Sequence, residues 1–101
     1  MSQDNQLPEY KKYSRRELVD VVIDTICSNV GHGLDAHSIS EDNNIIEDLH
    51  GDSLDIVGVT IDLDETLGVS TPDEEVSNKY VISELVDVYY DRLKLEGRIK
   101  E

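Results

Sequence analysis

Apolar residues recur at helical spacing in three stretches of the chain. Leu18, Val21, Val22, Thr25 and Ile26 keep the i, i+3, i+4 rhythm of an amphipathic helix. Ser14 and Glu17 just before them form a capping-box pattern, and the helix is expected to end near Asn29, before Gly31 and Gly33. A second helix is predicted from Ser53 to Leu67, with Asp52 as its N-cap and Gly68 as its stop. It carries two apolar stripes. Ile56, Val59, Leu63 and Leu67, with Thr60 between them, are assigned to the core. Leu54, Val57 and Ile61 lie on an adjacent stripe, which either faces a second buried side or stays partly exposed for a partner. The third stretch is Ile82, Leu85, Val86, Tyr89 and Leu93. Val81 offers no side-chain cap at its start, and Arg92, Lys94, Arg98 and Lys100 suit the negative pole at its end. Thr71-Pro72-Asp73-Glu74-Glu75 reads as a turn into a short helix, with proline and acids at the positive first turn. Nothing reads as a strand. The fold predicted is an all-α, up-down bundle of three main helices plus one short helix, with a long first loop.

That loop, residues 31–51, needs its own anchors, and Ile39, Ile45, Ile46 and Leu49 are the candidates. A short helical turn is expected within residues 41–48. Residues 1–13 read as a polar tail, ordered at most near Tyr10 and Tyr13, residues 14–96 as the single domain, and residues 97–101 as a second tail. A chain of 101 residues without Phe or Trp builds a small core from Val, Ile, Leu and a few Tyr.

Charge narrows the choice of partner. With 23 acidic against 9 basic residues the net charge is -14, and no Lys or Arg occurs between Arg16 and Lys79. Nucleic acid would be repelled, whereas proteins with basic docking patches would be attracted. No apolar run has transmembrane length, and the N-terminus lacks the apolar core of a signal peptide, so no membrane partner is expected and the cytoplasm is the expected location. A lone cysteine, Cys27, allows no intrachain disulfide and reads as a small apolar helix residue.

Candidate chemistry concentrates in Glu47-Asp48-Leu49-His50-Gly51-Asp52-Ser53-Leu54-Asp55. With Asp52 as cap, Ser53 is the first helical residue and its hydroxyl points to solvent. An anionic group esterified there would meet the positive end of the helix dipole and its unpaired N–H groups. No residue nearby is placed to activate the serine as a nucleophile.

This stretch resembles the acyl carrier protein family. Asp52-Ser53-Leu54 is similar to the family's attachment motif, and the likeness extends from Ile39 through Pro72-Asp73-Glu74-Glu75 and loosely to the helices on either side. Family members usually have Gly and then a small residue before the motif, where this chain has His50-Gly51; an apolar residue commonly precedes the proline, where this chain has Thr71. The resemblance implies a covalent 4′-phosphopantetheine on Ser53, derived from coenzyme A and flanked by Asp52 and Leu54, whose thiol holds acyl groups as thioesters. It implies a monomeric, non-catalytic carrier for fatty acid or related lipid or secondary-metabolite biosynthesis. Its partners would be a phosphopantetheinyl transferase and acyl-transferring and acyl-modifying enzymes. It also assigns docking to Asp55, Val57, Ile61, Asp62 and Glu65 on the second helix, although the acids read equally well as a solvated face. The alternatives are a carrier of polyketide or aminoacyl groups, which Asp52-Ser53-Leu54-Asp55 disfavours, and an unmodified acidic helical adaptor.

Other chemistry fits poorly. Gly51-Asp52-Ser53-Leu54 also spells an esterase motif, but that chemistry requires a histidine base after the serine and a larger α/β sheet, and no histidine follows His50. Cys27, His32 and His37 are too loosely spaced for zinc, and residues 42–55 lack the ligand order of a calcium loop.

Overall fold

Three long helices and one short helix follow from local signals in the chain. The computed structural model describes residues 11–31 and 33–100. Residues 1–10, most of the expected N-terminal tail, and His32 lie outside that set. Helix α1 spans Arg15–Val30 and opens on the expected capping box. The Ser14 hydroxyl accepts the Glu17 N–H at 3.1 Å, and the Glu17 carboxylate accepts the Ser14 N–H at 3.0 Å. That backbone bond, with Lys100 beside it, holds the Glu17 carboxyl below its usual range. Helix α2 spans Ser53–Leu67 and stops at Gly68, whose φ of 68° is left-handed. Helix α3 is the single turn Asp73–Val76, and α4 spans Ile82–Leu95. Among the described residues there are no strands, only two isolated bridges, and the fold is all-α as expected.

The core lies where α1 packs on α2 and α4. Leu18, Val22 and Ile26 meet Ile56, Val59, Leu63 and Leu67 from α2 and Leu85, Val86, Tyr89 and Leu93 from α4, all buried. Burying each large aliphatic side chain contributes roughly 1.5–3 kcal/mol. The face of α1 is turned slightly from the expected one: Val21 and Thr25 are only half-buried, while Ile23 and Val30 are buried instead. Being flanked by two helices widens the buried arc of α1, and the Thr25 hydroxyl satisfies itself by donating to the Val21 carbonyl at 2.8 Å. Midway along α2, Gly58 leaves room for the Asn29 side chain of α1; a Cβ there would stand 2.5 Å from its Oδ1.

The first loop holds a helical turn that the sequence did not announce besides the one expected within residues 41–48. The added one is a 3-10 turn at Ala36–Ser38, capped by the Asp35 carboxylate, which accepts the His37 N–H at 3.0 Å. Residues 41–48 hold one α-type turn, Asp48 N–H to Asn44 O at 2.8 Å, but no helix. Their backbone is committed elsewhere. The Asn43 and Glu41 carbonyls accept the Ile82 and Ser83 N–H groups at 3.0 and 2.8 Å, and the Ile45 N–H donates to Tyr80 O at 2.8 Å. The loop thereby caps α4, whose own Val81 gives no side-chain cap. Ile45 and Leu49 are buried, and Ile39 and Ile46 are packed partly against the core.

Both ends of the described chain join the bundle. Tyr13 is buried and bridges Ile99 in parallel, with Tyr13 N–H to Arg98 O at 3.0 Å and Lys100 N–H to Tyr13 O at 2.8 Å. Arg98, placed by the sequence in a tail, is buried. Its guanidinium donates to Leu67 O at the end of α2, to Lys11 O at 3.4 Å and to the Glu96 carboxylate at 3.0 Å. The packed unit therefore runs beyond residue 96, because a buried cation found carbonyl partners on two other segments.

Candidate functional site

Ser53 is exposed at the first position of α2. The residues before it are pinned from below. Gly51 is buried and donates its N–H to Ile45 O at 2.9 Å; a Cβ on it would lie 3.0 Å from Ile45 Cγ2 and 3.2 Å from Val30 Cγ2. His50 takes a φ of 63°, the sole positive φ among the described non-glycine residues. That conformation costs an L-residue on the order of 1 kcal/mol. Asp52 and Asp55 form a reciprocal box: Asp52 accepts the Asp55 N–H at 2.9 Å, and Asp55 accepts the Asp52 N–H at 3.0 Å. Both carboxylates are thus turned onto backbone donors, which locks the serine's place at the helix start.

The apolar stripe beside it is open. Leu54, Val57 and Ile61 are 77%, 46% and 54% exposed, while Ile56, Val59, Thr60, Leu63 and Leu67 are buried. The two faces of α2 therefore separate into a core side and a free side. Of the acids predicted on the free side, Glu65 is exposed, Asp55 serves the capping box, and Asp62 accepts the Asn29 side-chain amide from α1 at 2.8 Å. Asp55 and Asp62 are thus each held by a neighbour. A separate groove of about 780 Å³ between α1 and residues 36–41, with Val19, Ile23 and Ile39 in its wall, contains none of these residues.

One polar cluster near the far end of α2 has no signature in the pattern of residues. The Tyr89 hydroxyl, buried in the core, donates to the Asp64 carboxylate at 2.9 Å and lies 3.2 Å from Thr60 O; the Thr71 hydroxyl donates to the same carboxylate oxygen at 2.8 Å. Burial pushes the Tyr89 phenol well above its ordinary pKa. Thr71, an unexpected residue before the proline, thus has a polar task in place of an apolar one. Cys27 is half-buried, and burial, with Asp24 and Asp35 nearby, pushes its thiol above the ordinary range, which disfavours the thiolate.

A family model described as phosphopantetheine attachment site matches residues 20–88. The acyl carrier protein of Rubrobacter xylanophilus is 36% identical over 55 residues, which are 54% of this chain and 68% of that protein. The chain belongs to the acyl carrier protein family. No solved structure matches it. Acyl carrier proteins bear a covalent 4′-phosphopantetheine, act as carriers and not catalysts, and work with a phosphopantetheinyl transferase and acyl-handling enzymes.

The residues at the start of α2 fit such a group. An exposed hydroxyl stands in the first helical turn, where unpaired N–H groups and the dipole favour a phosphodiester. The pinned loop keeps it clear of the bundle. When bound, the group supplies a thiol on a flexible arm; the chain supplies its point of attachment. Among the described residues, no helix is long and apolar enough to cross a membrane.

Proposed function

We propose that this acyl carrier protein bears its phosphopantetheine on Ser53 and carries acyl groups for fatty acid, related lipid or secondary-metabolite biosynthesis, as a monomer in the cytoplasm. The observation that carries the assignment is the exposure of Ser53 at the first turn of α2, beside a stripe of solvent-facing aliphatic side chains. A partner enzyme must take the arm and hold its carrier briefly. Leu54, Val57 and Ile61 give it an apolar seat, and Asp55, Asp62 and Glu65 give an acidic rim. Charge complementarity with a basic patch speeds the encounter, while the apolar contacts set how long the complex lasts. The net charge of -14 opposes association between copies of the chain.

Incubation with a phosphopantetheinyl transferase and coenzyme A tests the attachment. The intact mass should rise by one phosphopantetheine, and Ser53→Ala should abolish the gain. An equal gain in Ser53→Ala would move the arm to another residue. No gain in the wild-type chain would favour an unmodified acidic adaptor instead.

A further inference from the structure

Where the last turn of α1 meets the middle of α2, one side chain ties the two helices together at the edge of the free face. The Asn29 amide donates to Thr25 O on its own helix at 2.9 Å and to the Asp62 Oδ2 on α2 at 2.8 Å. Its oxygen lies over Gly58, where a Cβ would stand 2.5 Å away. A glycine inside a helix is destabilising relative to alanine, so α2 gives up helix propensity at the one position that admits this amide. Asp62 follows Gly58 by one turn, stands next to the open Ile61 and is itself exposed. Asn29 takes its Oδ2, whereas its Oδ1 has no partner among the described residues. The kind of donor matters. An amide fixes a carboxylate and leaves its charge in place, while a Lys or Arg would fix it and cancel the charge. No Lys or Arg occurs from residue 17 to residue 78.

We infer that Asn29 is a positioning residue for partner docking: it holds the Asp62 carboxylate in one orientation, with the free oxygen set to meet an arginine or lysine of the enzyme that takes up the arm. A free surface carboxylate samples several rotamers, and a partner must order it on binding. The one tied to Asn29 is ordered in advance. Asp62 follows Ser53 by nine residues, about 14 Å along the helix axis, which an interface of ordinary size spans. Gly58 and Asn29 thus act through Asp62 and need not touch the partner themselves. This inference rests on the docking role proposed for Asp62 and on attachment at Ser53.

Steady-state kinetics of a phosphopantetheinyl transferase, with coenzyme A and the full chain as substrate, test it. Asn29→Ala should raise the KM for the carrier by about threefold and leave kcat unchanged, as expected when binding is lost equally before and at the reaction step. Asp62→Ala should raise KM at least as much, and Asn29→Ala added to Asp62→Ala should raise it no further. Higher ionic strength should narrow the gap between wild type and Asn29→Ala. Circular dichroism verifies that the variants fold. A tie that serves only to join the helices would lower the melting temperature of Asn29→Ala and leave its KM where it was. That result, or an equal rise in KM with and without the Asp62 carboxylate, overturns the inference. An unchanged KM in Asp62→Ala overturns it as well, by removing this acid from the docking rim, while the mass gain at Ser53 still stands. Failure of the attachment is told apart beforehand: the wild-type chain would then gain no mass, or Ser53→Ala would gain it too, and the inference falls with it.

Discussion

The two ends of α2 are held in opposite ways. Its N-terminus is fixed by short-range bonds: the box between Asp52 and Asp55 and the N–H of Gly51 on Ile45 O, six residues back. Ser53 and Leu54 stand free above them. Its C-terminus is gripped by residues from far along the chain, Arg98 on Leu67 O and Tyr89 with Thr71 on Asp64, and those groups are largely withdrawn from water. The difference shows how a small bundle can afford an open site. A helix anchored deeply at one end can present the other with few tertiary contacts of its own, so the face that partners must reach need not contribute to stability.

Removing the deep anchor should have the largest effect. Arg98→Ala leaves the end of α2 without its buried donor and should destabilise the fold by on the order of 3 kcal/mol in urea titration. A loss below ~1 kcal/mol would show that water replaces the guanidinium freely. Tyr89→Phe keeps the ring and removes one hydroxyl, and should cost about 1–2 kcal/mol at neutral pH. Its pH dependence sharpens the point. Burial raises the folded-state pKa of Tyr89 above the ordinary 10.0, so its contribution is complete below about pH 10 and is lost as the pH rises further, when the unfolded chain ionises first. Wild-type stability should therefore fall more steeply above pH 10 than that of Tyr89→Phe; parallel curves would place the ionisation elsewhere. At the open end, Val57→Ala and Ile61→Ala should each change stability by under ~0.5 kcal/mol. A larger loss would mean that the stripe is core.

What could be read from the sequence follows the same division. The limits of α2, its two faces, the Ser14–Glu17 box and the inner face of α4 all rest on residues within two turns of one another, and periodicity and cap chemistry record such contacts. The place of Ser53, just after the Asp52 cap at the start of α2, is legible for that reason. Arg98 was not, since its partners stand 31 and 87 residues away. Nor was the bond from Asn29 to Asp62, which engages one of the acids assigned to docking. Thr71 looked like a lost apolar contact until Asp64 and Tyr89 were found around it. The capping of α4 by carbonyls of residues 41 and 43 was equally hidden, because a backbone donor or acceptor leaves no mark on residue type.

The clasp between Tyr13 and Ile99 has a mechanical consequence. Its two segments run parallel, so the chain leaves it in opposite directions on the two sides. A pull between the ends would load its two hydrogen bonds together, in shear, and would not peel them one after the other. The load would pass through Arg98 into the C-terminal end of α2. Ser53 lies a helix length away, about 22 Å, outside the line of force. A tether or fused domain at either end could then drag on the protein while the end of α2 that presents Ser53 stays slack.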